Sequence, residues 1–264
     1  MSLDRDLWLD VVFNVSTLRA AGLTVETRWN SSVRLDSYGW LDPLSKDFGP
    51  NAKYFKHDVA EAKKLLSAAG YATGVDLIST VPSGTPYGAD HIRQVEVTEG
   101  MAHEAGFRST IRQVDYTAEF LPKYRASRGK FEGWAHRTAG GGAGSGNEAI
   151  GRMYALYYSK AGDSFLGFSA SGKSDGAGDS YVDAQLEKAV IEIDGEKRNA
   201  IGYDLQRYLA KALYEVKWPG GTTSFLPAWP VLRNYQVFKT LDGNPRPDLF
   251  YWWLDETRAP IKRT

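Results

Sequence analysis

Gly167, Gly172, Lys173 and Ser174 stand at the spacing of a phosphate loop, GxxxxGKS, and are the residues whose types most directly suggest chemistry. In that pattern a strand feeds the loop and a helix starts at the Lys-Ser pair, so that backbone amides and the helix dipole converge on a phosphate. Here Ser174 is followed by Asp175-Gly176-Ala177-Gly178-Asp179, a run that starts no helix. Gly172, Ser174 and Gly176 also fit the GxSxG nucleophile elbow of serine hydrolases. One serine cannot serve two incompatible motifs, so both matches read as by-products of a Gly/Ser-rich loop over residues 167–180.

Metal chemistry is poorly supplied. His103-Glu104 would need a histidine at the fourth position after His103 to hold zinc, and that position is Phe107. His57, His91 and His136 are scattered singly and read as surface or capping residues. Asp175, Asp179 and Asp183 are spaced like a calcium loop, but Ala177 stands where an oxygen ligand is wanted and Ser180 where the sharp-turn glycine belongs. No metal and no cofactor is expected. Glu132 and Glu148 are the acidic pair that a hydrolase would use here.

The aromatic supply is more informative, with 8 Trp, 15 Tyr and 11 Phe. Trp134, Tyr154, Tyr157 and Tyr158 flank the run AGGGAGSGN at residues 139–147. There they can stack on sugar or peptide faces at small entropic cost. Each ring alone would fill a core equally well; together, beside a glycine-rich loop, they favour a binding rim. Arg137 suits a carboxylate, a phosphate or a sugar hydroxyl, because its planar guanidinium donates in pairs. A surface arginine in a loose ion pair is the alternative.

The bulk numbers bound the classes. The chain has 264 residues, which is one ordinary globular domain with room for a smaller appendage. Its 32 basic residues balance 32 acidic ones, giving no long-range attraction to nucleic acid or an anionic membrane. Without cysteine there is no disulfide, thiolate nucleophile or zinc-thiolate site. No apolar run approaches the roughly 20 residues of a membrane span, and no signal-peptide pattern is present.

The elements that position these residues follow from periodicity. Asp58 caps a helix in which Val59, Ala62, Leu65, Leu66 and Ala69 share a face, and Gly70 supplies its left-handed stop. A β-branched run over residues 75–81 is closed by Pro82, Ser83 and Gly84. A second helix carries Ile92, Val95, Ala102 and Ala105, Gly106 ends it, and residues 108–115 alternate like a strand. Residues 4–15 predict a helix with Leu7, Val11 and Val12 inward. Residues 29–51 predict an irregular connection packed by Trp29, Tyr38 and Trp40, and residues 117–127 a short helix with Phe120, Leu121 and Tyr124 inward. A brief strand is expected over 131–136 and a helix over 150–158. Two periodic helices follow, with Val182, Leu186, Ala189, Val190 and Ile193, then Ile201, Leu205, Tyr208, Leu209, Ala212 and Leu213. Residues 231–238 predict a strand, and 242–264 a proline-containing tail with Trp252-Trp253.

The motif DVAEAKKLLSAAGY from Asp58, followed by strand, helix and EAGFR from Glu104, resembles family 5 extracellular solute-binding proteins, the peptide, nickel and oligosaccharide receptors of ABC importers. YVDAQLEKAVIEIDGEKR from Tyr181, with the helix carrying Gln206, resembles the paired helices near the end of that family's second lobe. The resemblance implies an α/β, type II periplasmic-binding-protein-like lobe with a mixed sheet flanked by helices. It assigns residues 1–241 to a carboxy-terminal lobe and 242–264 to a tail returning towards an amino-terminal lobe. The Asp4-Arg5 pair resembles one about midway through full-length members, which implies a carboxy-terminal fragment.

The role so implied is capture of a small solute between two lobes, without bond making or breaking, followed by docking to ABC transporter permease subunits. The implied location is periplasmic or extracellular, with a lipid anchor on the full-length protein. The resemblance places the solute at loops leaving the sheet, residues 83–87 and 134–147. The ligand-binding candidates are therefore Ser83, Tyr87, Trp134, His136, Arg137, Asn147 and Tyr154. In peptide-binding relatives an aspartate close after the tryptophan of FEGW holds the free amine. Here Ala135-His136-Arg137 follows Trp134, with no acid before Glu148. A buried ammonium needs a carboxylate, so this departure counts against peptides bound by a free amine.

Overall fold

The computed structural model describes residues 1–83, 88–136, 148–161, 167–172, 175–223, 228–234 and 251–260. The chain divides into Met1–Thr222 and Thr223–Thr264. The boundary expected near residue 241 falls outside the described residues.

The first unit opens with α1 (Arg5–Phe13), capped by the Asp4 carboxylate on the Leu7 amide, and α2 (Val15–Ala20). The helical period is as expected, but its phase is turned. Arg5, Trp8 and Leu9 face inward, while Leu7 and Val11 are exposed. Trp8 is large enough to decide which face the helix buries, and Arg5 follows it because its side chain runs between rings, 5.0 Å from Phe55 and 5.7 Å from Trp29. Strand β1 (Thr27–Trp29) pairs antiparallel with β5 (Gly220–Thr222). In the irregular stretch that follows, Trp29 is buried and Trp40 packs on the core, whereas Tyr38 is exposed.

The central unit is α3 (Val59–Ala68), β2 (Val75–Ser83), α4 (Gly88–Glu104) and β3 (Phe107–Asp115). Asp58 accepts from the Glu61 amide, and Gly70 and Gly106 adopt positive φ at the two helix ends, as their types predict. Leu65 of α3 is exposed, so this helix buries less than its apolar stripe suggests. Strands β2 and β3 run parallel from Val75↔Phe107 to Ser83↔Asp115. Such a pairing needs a crossover, which α4 supplies.

Asp115 caps the wide, π-type helix Tyr116–Arg125, whose Ala126 amide donates to the carbonyl of Leu121. That helix buries Phe120 and Tyr124 and leaves Leu121 outside. Strand β4 (Trp134–Ala135) then pairs parallel with the other edge of β2, giving the order β3-β2-β4. Thus β2 is the central strand, and its C-terminal half, from Ser79 to Pro82, is buried on both faces.

A second core joins α5 (Ala149–Tyr157), α6 (Ser180–Ile191) and α7 (Gly195–Ala212) through Ile150, Met153, Tyr157, Leu186, Leu205 and Leu209. Val190 and Ile193 are exposed, so α6 buries only Val182, Leu186 and Ala189. Gln206 is fully buried on α7 and fully used. Its Oε1 accepts from Ser31 Oγ (2.8 Å) and the Leu41 amide (2.9 Å), and its Nε2 donates to the carbonyls of Gly39 (2.8 Å) and Gly202 (3.2 Å). An amide so satisfied locks the irregular 30–41 stretch onto α7.

The second unit contains β6 (Leu232–Arg233) paired antiparallel with β7 (Trp253–Leu254). Arg233 bonds Asp255 at 2.9 Å. The remainder of the strand expected over 231–238 lies outside the described residues. No helix among the described residues is long and apolar enough to cross a membrane.

Candidate functional site

In open α/β sheets the chain leaves a crevice outside the carboxyl ends of the strands where successive connections go to opposite sides. Strand β2 is such a point, because β3 lies on one side of it and β4 on the other. Its C-terminal end carries Ser83, half-buried, whose hydroxyl donates to the carbonyl of Val114 at 2.9 Å. Strand β4 is brought alongside by Gly133, at φ +77°, where an added Cβ would lie 2.1 Å from the carbonyl oxygen of Ile78. Only glycine allows that approach. Trp134 comes next, half-buried, its ring 5.3 Å from that of Phe107. The His136 amide then extends the ladder to the carbonyl of Thr80 (2.8 Å).

Between the sheet and α4 lies a polar cluster centred on Glu99. Its Oε1 accepts from Ser79 Oγ (2.5 Å) and lies 2.6 Å from His136 Nε2, while Oε2 accepts from Ser109 Oγ. The two ionisable side chains are nearly enclosed, Glu99 7% and His136 12% exposed. Burial opposes ionisation of Glu99, but the hydrogen bonds from His136, Ser109 and Ser79 outweigh it and hold the carboxyl below its usual range. Trp218 forms the wall. His136 stacks on it at 5.7 Å, Trp8 at 5.8 Å, and His91 meets it edge-on at 6.0 Å. Burial, followed by the neighbouring His136 charge, pushes the His91 imidazolium below its ordinary value.

His91 and His136 are therefore interior side chains, not the surface or capping residues expected of scattered histidines. The polar pattern could have revealed Glu99, because it falls on the stripe Ile92, Val95, Ala102 that faces the sheet. A carboxylate on an apolar stripe needs interior partners. Trp218 carried no such signal.

Ser83 stands at the C-terminal end of β2 and His136 follows β4 beside Thr80, whereas Trp134 pairs with Ser79 in the middle of β2 and sets its ring against Phe107, which pairs with Val75 at the start of that strand. Tyr87, Arg137 and Asn147 lie outside the described residues. Tyr154 belongs to the helical core, stacked on Tyr158 at 4.4 Å. Tyr157 is buried with its hydroxyl on the carbonyl of Ser32, and Tyr158 donates to Glu187. These three tyrosines pack among α5, α6 and their surroundings instead of forming a common rim with Trp134.

Glu148 is held by Arg198 at 2.6 Å, and Glu132 is exposed in the turn before β4. Ser79 and Ser109 donate to Glu99 and have no histidine base; Ser79 is moreover fully buried, beyond reach of a substrate carbonyl. Among the described residues the first helix after Gly172 is α6, starting at Ser180, which removes the helix a phosphate loop requires; Lys173 and Ser174 themselves lie outside them. Asp179 is engaged by the amides of Tyr181 and Val182 and by the hydroxyls of Tyr208 (2.6 Å) and Tyr214 (2.7 Å). Asp183 accepts from Ser159. Among the described residues no three His, Asp or Glu side chains converge as metal ligands.

The class defined by this architecture is a periplasmic-binding-protein-like α/β lobe, with sheets flanked by helices. The chain superimposes on the ABC transporter substrate-binding protein CtaP of Listeria monocytogenes with a TM-score of 0.60 at 16% identity, covering 84% of this chain and 38% of that one. A periplasmic oligopeptide-binding protein of Thermotoga maritima gives 0.59 at 19% identity, covering 89% and 42%. AgaA of A. tumefaciens R10, in complex with agropinic acid, gives 0.58 at 18% identity, covering 84% and 39%. The chain thus spans about two-fifths of the length of these structures. No protein-family model and no curated protein matches the sequence.

Proposed function

We propose that this chain is the ligand-bearing part of one lobe of an ABC-importer solute-binding protein, and that it captures its solute without chemical conversion. The observation that carries this reading is the switch in strand order at the C-terminal end of β2, where Ser83 stands and the sheet's connections diverge to β3 on one side and β4 on the other. The likeness in fold to importer binding proteins supports it. The solute contacts are assigned to Ser83, Tyr87, Trp134, Arg137 and Asn147, with Trp134 as the stacking surface. His136, fixed on Glu99, sets the direction in which β4 leaves the sheet.

The cleft is completed by a second lobe and closes by hinge motion, and the closed form docks to permease subunits outside the cytoplasmic membrane. The absence of an acid between Trp134 and Glu148 favours a solute carrying a carboxylate or hydroxyls over one held by a free amine. A thermal-shift screen with peptides, oligosaccharides, organic acids and metal chelates tests this, run on the mature product of the whole gene and on the 264-residue chain in parallel. The expected result is one solute class that stabilises the longer protein strongly and the chain weakly. Conversion of a hit into product, or equal stabilisation of both, overturns the reading.

A further inference from the structure

The Gly/Ser loop over residues 167–180 serves neither motif that its letters match, but it holds an aspartate placed to react by itself. Where glycine follows aspartate, the glycine amide nitrogen can attack the side-chain carbonyl carbon, since no Cβ on the glycine screens it. Such pairs stand at Asp175-Gly176, Asp194-Gly195 and Asp242-Gly243. The third lies outside the described residues. The other two differ in what holds the carboxylate. Asp194 is the N-cap of α7, its Oδ1 accepting from the amides of Glu196 (2.9 Å) and Lys197 (3.1 Å), with Gly195 as the first helical residue. To react it must surrender both bonds and the cap. Asp175 is exposed and accepts one bond, from the Ala177 amide at 3.0 Å. Gly176 sits at φ +68°, and among the described residues its amide has no backbone acceptor.

We propose that Asp175 is a site of spontaneous isomerisation to isoaspartate, and that the fold protects Asp194 from the same reaction. The Gly176 nitrogen forms a bond to Asp175 Cγ, and the carboxyl hydroxyl leaves with the amide hydrogen as water, which closes a five-membered succinimide. Water then adds to one of the two ring carbonyls. Opening between nitrogen and Cγ restores aspartate. Opening between nitrogen and the former main-chain carbonyl leaves the backbone running through Cβ and Cγ, with the α-carboxylate as the side group. Water is the only co-reactant, released in the first step and taken up in the second. The site is independent of the solute reading.

The surroundings say where the extra backbone carbon goes. The base of the loop is closed, because the Ala170 amide donates to the carbonyl of Gly178 (2.9 Å) and the Gly178 amide to that of Phe168 (2.9 Å), whose ring stacks on Tyr214 at 4.2 Å. Gly178 lies so close to Ser159 that an added Cβ would stand 2.4 Å from its Cβ. The base has no slack, so the added length falls on the tip around Asp175 and removes its bond to the Ala177 amide. The fold survives the reaction, and the product accumulates in native protein.

Ageing the 264-residue chain for several weeks at physiological temperature and pH, folded and in urea, tests this. Peptide mapping with isoaspartyl methyltransferase labelling reads each aspartate separately. In the folded chain Asp175 is expected to convert at least about fivefold faster than Asp194, the factor that one helix cap commands. In urea, where the cap is gone, the two pairs are expected to convert at similar rates. Asp175→Glu, whose ring would need six members, is expected to remove the labelled peptide and leave the melting point unchanged. Equal conversion of Asp175 and Asp194 in the folded chain, no conversion at Asp175, or a difference that persists in urea overturns the proposal.

Discussion

Nε2 of His136 lies 2.6 Å from Oε1 of Glu99, which ties the last residue bonded to β2 to the middle of α4. Because Ser79 and Ser109 donate to the same carboxylate, one side chain holds both outer elements of the βαβ unit and the strand added beside it. Glu99→Gln keeps the shape but weakens the acceptor and sets an amide hydrogen against at least one of these donors. A hydrogen bond to a charged group contributes about 1.5–3 kcal/mol. The variant is expected to lose about that much in urea unfolding, with a melting point several degrees lower.

The same cluster sets the response to acid. The folded Glu99 carboxyl lies below its usual range, so the unfolded chain binds the proton first, and stability falls as pH drops from about 4.5 through the lowered folded value. His91 has the same sign at higher pH. Its depressed folded value means that only the unfolded chain takes up a proton just below about pH 6.5, so stability declines there as well. Urea midpoints measured from pH 8 down to about 3 are expected to fall in two steps. Glu99→Gln should shrink the lower step, to which other carboxylates held below their usual range such as Asp179 and Asp255 also contribute, and His91→Asn should remove the upper; a flat profile in the wild type would contradict both assignments.

Gln206 is expected to be the most sensitive polar position of the helical core. Gln206→Ala leaves a cavity and strands Ser31 Oγ, the Leu41 amide and the Gly39 carbonyl. Loss of about 2–4 kcal/mol is anticipated from unsatisfied buried groups alone, measurable by chemical denaturation. Amide exchange at Leu41 should accelerate in parallel.

Gly133→Ala tests how β4 is held. The added methyl would meet the Ile78 carbonyl at 2.1 Å, in a backbone conformation with φ +77° that L side chains rarely adopt. The strand must move away from β2, and protection of the His136 amide, bonded to Thr80, should be lost. Gly172→Ala, where no atom lies within 4 Å of the new methyl, serves as the control, since both positions share a positive φ.

Much of this frame was legible because its signals are local. Asp58, Gly70 and Gly106 are capping residues whose preferences act within one turn, and the alternation over residues 107–115 needs only its own pleat. Helix phase was less legible. Leu7 and Val11 are apolar and outside, while Arg5 is charged and inside, because Trp8 and the rings of Trp29 and Phe55 decide the face and two of those rings are remote in sequence. Tyr154, Tyr157 and Tyr158, in and just after α5, illustrate the same limit, since a ring beside a glycine-rich loop looks like a binding surface until α6 and α7 are folded against it. At the site, Ser83 ends β2 as the closing turn residues predict, whereas Trp134, expected in a loop leaving the sheet, begins β4 opposite Ser79. The enclosure of His136 was not legible, because it depends on Glu99 and Trp218, 37 residues before it and 82 after it in the sequence.

Titration calorimetry of the whole gene product with the most stabilising solute, for wild type and Trp134→Ala, tests the central claim most directly. One solute per protein, no product, and affinity at least about fivefold weaker in the variant are expected, since stacking on one ring contributes about 1 kcal/mol or more. The variant's urea midpoint should fall little by comparison. Unchanged affinity in Trp134→Ala, or heat that continues to evolve as the solute is consumed, would contradict a binding lobe whose ligand sits at the end of β2.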